Sequence, residues 1–268
     1  MNVVIISALH PPAALYLVRK IQERWTPKRV IRPIGFDNSL SLFKRLKGVS
    51  ITKIMNLPGN LIQSMLTNRR NKEMTQLLFH NSNSAYILNC DEILWSKINS
   101  EESVNHIRSL EPDILLVCMA PILKPEVFTI PRIATVNVHF GIAPHYRGEH
   151  TIFWPLYFGD YENIGVTLHQ INKGIDSGGI LAQGYPAIEK RDNESTLWAK
   201  SSQIAVNMVL DLLAAAQKGK IQGRKQDFKG RLFLRKDRNI WKDLHYYYNR
   251  NILRKYPKSH PQRIVKYF

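Results

Sequence analysis

"NVVIISALHPPAALYLVRKIQERWTPKRVIRPIGF", residues 2–36, is the stretch from which the architecture is read. Residues 2–7 form a short apolar run rich in β-branched side chains, as a strand buried on both faces requires. Residues 13–24, "AALYLVRKIQER", place apolar side chains at helical spacing, and "KRVIRPIGF" returns to a strand pattern. Strand, loop, helix and strand in that order open a doubly wound domain. A mainly parallel, Rossmann-like α/β core is therefore expected. The loop "ALHPP" contains no glycine, so the dinucleotide-binding fingerprint is absent.

Further along, residues 38–80 are basic and rich in helical patterning, with Pro58-Gly59 expected to interrupt them. "SAYILNC" predicts a strand at 84–90, and "NSEE" at 99–102 a helix start whose buried face carries Val104, Ile107 and Leu110. "PDILLVCMA" is a strongly apolar strand; "IGVTLHQI", 164–171, alternates as another. The clearest helix is "STLWAKSSQIAVNMVLDLLAAAQKGK", with Ser195 as the expected cap and Gly219 near its end. No linker interrupts the chain. The expected division is a catalytic domain over 1–220 and a short C-terminal appendage, 221–268, packed on it.

With 268 residues, 44% hydrophobic and 22% charged, the chain can bury a sizeable core. No apolar run approaches the roughly 18 residues that span a bilayer. The N-terminus reads as a first strand and not as a signal peptide, so a cytoplasmic protein without membrane contact is expected. Cys90 and Cys118 lie in apolar surroundings without ligand spacing, as inert reduced thiols would. No metal-ligand cluster is visible, and no metal is expected. The net charge is +17, and residues 221–268 hold fourteen Lys/Arg against three Asp. That excess favours anionic partners or a solvated basic surface, and charge alone does not separate them.

The chemistry lies in "ATVNVHFGIAPHYRGEH", 134–150, where Asn137 and His139 stand two apart as an apolar run ends. A proline-bearing excursion, "PHYRG" (144–148), follows. "INKGIDSGGI", 171–180, then supplies one carboxylate, Asp176, in a glycine-rich loop after a strand, where open α/β sheets line their crevices. An amide, an imidazole and a carboxylate without a Ser or Cys nucleophile suit direct acyl transfer to an external amine. Asn137 can donate to the oxyanion of a tetrahedral intermediate, and His139 can exchange protons near neutrality. Asp176 can orient the imidazole and favour its charged form.

Asn-x-His, Pro-x-x-Arg-Gly, Gly-Val-Thr and Asp-Ser-Gly in this order resemble the folate-dependent formyltransferases, most of all the sugar N-formyltransferases. The likeness covers 111–183 and continues loosely to "GRKQDFKGRLFLRKD" at 223–237. It implies that Asn137, His139 and Asp176 are catalytic and that 10-formyltetrahydrofolate is the donor. It also implies a backbone-lined pterin slot at Ala120, Pro121, Ile122 and Leu123 and at Ile171, Lys173 and Ile175. Where the family has Pro-Ser-Leu-Leu-Pro this chain has "FGIAP", which replaces the first proline by Phe140 and the serine by Gly141.

The expected acceptor is the primary amine of a nucleotide-linked amino sugar, as in lipopolysaccharide O-antigen biosynthesis. Its diphosphate calls for cations and its base for an aromatic face, and the tail interleaves both. Candidate substrate contacts are His10, Tyr146, Arg147 and Trp154, with packing the competing role for Trp154. Methionyl-tRNA, or another small amine, is the alternative acceptor. Nucleic acid is disfavoured because the stretch after the long helix lacks the five alternating strands of an OB-like barrel. A homodimer is left open. A fold of this kind that binds folate or nucleotide without turnover is the competing class, and the intact trio speaks against it.

Overall fold

In the computed structural model, which describes residues 1–10, 12–35, 57–79, 87, 89–219 and 221–268, the opening stretch forms β1 (Val3–Ser7), α1 (Pro12–Gln22) and β2 (Arg29–Ile34). All five β1 residues are buried. Its side chains divide by parity: Val3 and Ile5 join one apolar cluster, Val4 and Ile6 another on the opposite face. A strand between two apolar layers needs an unbroken hydrophobic run, and residues 3–6 supply it. From α1, Ala13, Leu17 and Ile21 share a buried stripe with Ala14 and Val18.

α2 runs from Leu57 to Phe79 and includes Pro58 and Gly59 in its first turn. A proline's missing N–H is harmless at this position, and whether the pair also breaks an earlier helical stretch depends on residues outside those described. The expected helical patterning over 38–56 lies outside the described residues. β3 (Cys90–Leu94) begins where the expected strand ends, so that expectation is corrected toward the C-terminus; 84–86 lie outside the described residues. α3 (Glu101–Ser109) is capped by the Ser100 hydroxyl, which accepts from Ser103 N at 3.3 Å. Val104, Ile107 and Leu110 are buried as expected.

The chain continues through β4 (Ile114–Cys118), α4 (Pro125–Phe128), β5 (Ala134–His139), β6 (Tyr146–Gly148) and α5 (Phe153–Phe158). It closes with β7 (Val166–Gln170), β8 (Ile180–Tyr185), α6 (Glu194–Lys218), β9 (Arg231–Phe233), α7 (Ile240–Asn251) and β10 (Arg263–Lys266). The α6 cap is Asn193, not Ser195. Its side chain accepts from Thr196 N at 2.9 Å, and the Thr196 hydroxyl accepts from Asn193 N at 2.9 Å. This reciprocal pair satisfies two orphan donors where a lone serine satisfies one.

The main sheet has the order β10-β8-β7-β5-β4-β1-β2-β3. β3, β2, β1, β4 and β5 are mutually parallel, whereas β7, β8 and β10 add antiparallel. α1, α2 and α6 pack together over one face. The other face is covered by α3 and α4 near β1, β2 and β4. Residues 221–268 lie on the same body: β9 pairs with β6, α7 packs on α2 and α5, and β10 joins β8.

A buried ion network holds this junction. The Arg238 guanidinium, 1% exposed, meets Glu194 at 2.7 and 2.9 Å and Asp243 at 2.5 Å. Arg70 from α2 reaches the same two carboxylates at 3.5 and 3.4 Å. Both free cysteines are partly or fully buried, and burial pushes the Cys118 thiol up to about 12. Among the described residues, no helix is long and apolar enough to cross a membrane.

Candidate active site

β5, "ATVNVH", alternates cleanly. Val136 and Val138 enter the helix-covered cluster, which leaves Thr135, Asn137 and His139 on the opposite face. Across the ladder Asn137 pairs with Val117 of β4 and with His169 of β7, while His139 pairs with Thr167. In-register partners share a face, so the apolar layer that ends at Val117 gives way to Asn137, His139, Thr167 and His169. The strand order thus places a polar patch where the sheet passes from parallel to antiparallel.

Asp176 completes it. Its backbone takes the left-handed conformation at φ +45°, which an aspartate tolerates better than most side chains. One carboxylate oxygen lies 3.3 Å from both the Asn137 amide nitrogen and His169 Nε2. The other accepts from Gly148 N at 2.8 Å and stands 3.5 Å from His139 Nδ1. Gly148 adopts φ +88°, and a Cβ there would lie 2.1 Å from the Phe233 carbonyl oxygen, so only glycine presents this N–H. The pair at the end of β5 and a carboxylate 39 positions beyond Asn137 therefore meet, as the sequence expectation required.

Protonation follows from the partners. Burial alone would raise the Asp176 pKa, but His139 and His169, protonated in the acid range where the carboxylate titrates, and the Gly148 N–H outweigh it and hold it well below the usual carboxylate range. His139 is 6% exposed, and burial lowers its pKa against the opposing pull of Asp176. Nε2 of His139 lies 2.9 Å from the Tyr146 carbonyl, which only accepts, so the neutral ring carries its hydrogen there. Nδ1 is left as a lone pair facing a carboxylate. At neutral pH the site holds an anion beside a neutral imidazole ready to take a second proton.

Other predicted residues serve the frame. Arg147 is 3% exposed and donates to the Ile175 carbonyl at 3.0 and 2.6 Å and to the Gly230 carbonyl at 3.2 Å. Its guanidinium therefore fastens the loop that carries Asp176. The Tyr146 hydroxyl bonds Asp160 at 2.9 Å, and its ring stacks on Phe233. Trp154, 2% exposed, stacks on Phe233 at 4.6 Å within the core. His10 is exposed at the end of the β1–α1 loop. In the expected slot, Leu123 is buried; Ala120 and Ile171 pack on the apolar layer. Pro121 is buried, Lys173 is exposed, and Ile122 and Ile175 are 76% and 38% exposed.

Sequence reading missed His169 and Gln226. His169 Nδ1 lies 2.8 Å from the Gln170 carbonyl oxygen, and its Nε2 lies 3.1 Å from the Asn137 amide nitrogen and 3.3 Å from Asp176. The signal was present in "VTLHQ", where Thr167 and His169 alternate with buried apolar residues. Gln226 donates to the carbonyls of Asp176 and Gly178 at 3.0 and 2.8 Å, clasping the loop from the tail. No sequence spacing points to it. Among the described residues no group of three or more His, Cys, Asp and Glu is placed to hold a metal ion.

Residues 61–213, more than half of the chain, match the formyl transferase family, and the chain belongs to it. Relatives include methionyl-tRNA formyltransferase of Caldanaerobacter subterraneus, 31% identical over 48% of this chain and 41% of that enzyme. The enzyme of the same name from Ehrlichia ruminantium is 34% identical over 42% of this chain and 37% of its own. The match thus spans about two fifths of these relatives' length. Among solved structures, a sugar N-formyltransferase from a Shewanella species superposes with a TM-score of 0.57 at 18% identity, over 88% of this chain and 78% of its own. A 4-N formyltransferase from Francisella tularensis gives 0.56 at 15% identity, over 88% and 77%.

Proposed function

We propose that this protein transfers a formyl group from 10-formyltetrahydrofolate to the primary amine of a nucleotide-linked amino sugar. One observation carries the reading: the Asp176 carboxylate reaches Asn137 at 3.3 Å and faces His139 at 3.5 Å, in a member of the formyl transferase family.

The folate, when bound, supplies an activated formyl carbon. Asn137 turns an N–H onto the formyl oxygen as negative charge gathers there; both of its hydrogens now point at His169 and Asp176. As the nitrogen–carbon bond forms, the amine's proton passes to His139 Nδ1, beside Asp176, which steadies the imidazolium. That proton then goes to the departing folate nitrogen as its bond to the formyl carbon breaks. Arg147 and Gln226 hold Asp176 in place through backbone carbonyls. The loops 120–123 and 171–176 would hold the pterin, with Ile122 and Ile175 exposed to pack on its ring.

For the acceptor, the likeness to the sugar enzymes runs over 88% of the chain, well beyond the 61–213 match. Residues 221–268, taken as an extension of a 1–220 catalytic domain, add cations and aromatic rings to the same body. The methionyl-tRNA relatives and the charge of +17 favour the second reading, aminoacyl-tRNA. Incubation with 10-formyltetrahydrofolate and either a panel of amino-sugar nucleotides or charged tRNA, read by mass spectrometry, separates the two. Gain of one CO unit on a sugar nucleotide is expected. Modification of the tRNA alone overturns the sugar assignment.

A further inference from the structure

α7 has two faces, and the fold uses one of them. Asp243 and Tyr246 are buried against the body, the first in the Arg238 network and the second edge-on to the Phe153 ring. At the helical pitch, Trp241, Leu244, Tyr248 and Ile252 fall within about 80° of one another on the opposite side. Trp241 is 74% exposed and Ile252 66%, and Leu244, Tyr248 and the neighbouring Leu253 are exposed as well. A surface helix ordinarily turns such a stripe toward the core. This one carries its large apolar side chains outward, over about 16 Å at 1.5 Å per residue.

The surroundings of the stripe are cationic. Residues 244–268 contain six Lys or Arg and no Asp or Glu, and Arg254, Lys255 and Lys258 are exposed just beyond the helix. Aromatic and aliphatic side chains on one helix face, flanked by cations without carboxylates between them, complement an anionic lipid bilayer. Trp, Leu and Ile enter the boundary of the acyl chains while Lys and Arg stems run outward to the headgroups. A second copy of this chain suits the stripe less well, because an isologous contact would bring both sets of cations together. RNA would engage the rings and the cations, but Leu244, Ile252 and Leu253 offer no face for base stacking.

We propose that α7 docks this protein peripherally on an anionic membrane surface. The expectation of no membrane contact follows from the lack of a spanning run, and a helix lying in the interface needs none. The proposal stands apart from the formyl-transfer reading, and its test needs no turnover. The full chain is sedimented with phosphatidylcholine vesicles and with vesicles that also contain phosphatidylglycerol. Only the second should carry it down, and less so as salt is raised. Trp241→Ala and Ile252→Ala, both at exposed positions, should each weaken that binding by about tenfold, and Lys255→Glu combined with Lys258→Glu should weaken it too. Tryptophan emission should shift to the blue on the anionic vesicles, and the shift should be largely lost in Trp241→Phe, which keeps an apolar ring. The absence of co-sedimentation, or equal binding to both vesicle types, overturns the proposal. So does unchanged binding by the alanine variants, shown by circular dichroism to be folded, since that would be adsorption through net charge alone. Dimerisation abolished by Trp241→Ala, or RNA binding, in a chain that ignores vesicles would assign the stripe to a second copy or to nucleic acid instead.

Discussion

His139 Nδ1 faces Asp176 Oδ2 across 3.5 Å, a separation too long for a strong direct hydrogen bond and short enough for an ion pair once the ring is protonated. Because Nε2 is committed to the Tyr146 carbonyl, Nδ1 is the atom through which this imidazole gains or loses charge. The carboxylate stays ionised beside it: the two histidines, when charged, and the Gly148 N–H outweigh its burial.

Replacing either partner should stop turnover without unfolding the protein. Asp176→Asn tolerates the left-handed backbone, and His139→Ala removes the proposed proton acceptor. Each should lower kcat by about 10²–10³-fold, the scale of losing one preorganised catalytic group, with folate binding little changed. Single-turnover kinetics with separate folate titrations provide the check. Near-normal kcat in either variant would remove these roles.

The acid limb of kcat should lie below the ordinary histidine range. His139 must be neutral to accept a proton, and burial lowers its pKa, so activity persists as pH falls past 6.5 until the ring is charged. Asp176 pulls the other way. Any residual activity of Asp176→Asn should therefore show the limb displaced further toward acid. A pH–rate profile in which the limb moved toward alkali would contradict this electrostatic account.

Gly141 has a specific steric task. A Cβ there would lie 2.6 Å from His139 Nε2 and 2.6 Å from Thr151. Gly141→Ala should displace the imidazole and reduce kcat by about tenfold or more, as small misplacements of catalytic groups do. Its thermal midpoint should fall modestly. Crystallography of the variant would show whether the ring moved.

Stability should decline in acid in two stages. His150 has its pKa lowered to about 4 from 6.5, by burial first and by Arg238 second. The unfolded chain takes up that proton first, so stability falls as pH drops from 6.5 toward about 4. Glu194 adds a second stage. Burial alone would raise its pKa, but Arg238 and Arg70 hold it at about 2, so its contribution is present above 4.5 and lost as pH falls toward about 2. His150→Asn keeps the left-handed backbone accessible and should flatten the first stage, while the second, held mainly by Arg238 and Arg70, is largely retained. Urea midpoints measured across pH test this.

Removing the buried cation should loosen the tail. Arg238→Met leaves Glu194 and Asp243 to Arg70 alone, and breaking one side of a buried ion network typically removes about 3–5 kcal/mol. Urea unfolding should shift accordingly, and protease cleavage within 239–268 should precede global unfolding. An unchanged midpoint would mean the network contributes little.

Much of this was legible along the chain. Uninterrupted apolar residues at 3–6 and 114–118 report strands buried on both faces. Alternation in 134–139 separates Val136 and Val138 from Asn137 and His139, because successive strand residues face opposite sides. These are local properties, settled by side-chain polarity and a period of two. The same local rules misplaced the cap of α6, since Ser195 and Asn193 both suit the position. Only the reciprocal bond with Thr196 distinguishes them.

Sequence by itself determined the parallel core, its helical cover and the chemical types brought to the reaction. Tertiary structure alone decided which neighbours they meet. Strand pairing set His169 opposite Asn137, and loop closure spent Arg147 on the Ile175 carbonyl. The tail supplied Gln226 and an antiparallel edge strand. Those outcomes depend on contacts between residues tens of positions apart. Their free energy exists only after the chain has closed on itself, so no short window of sequence carries their signature.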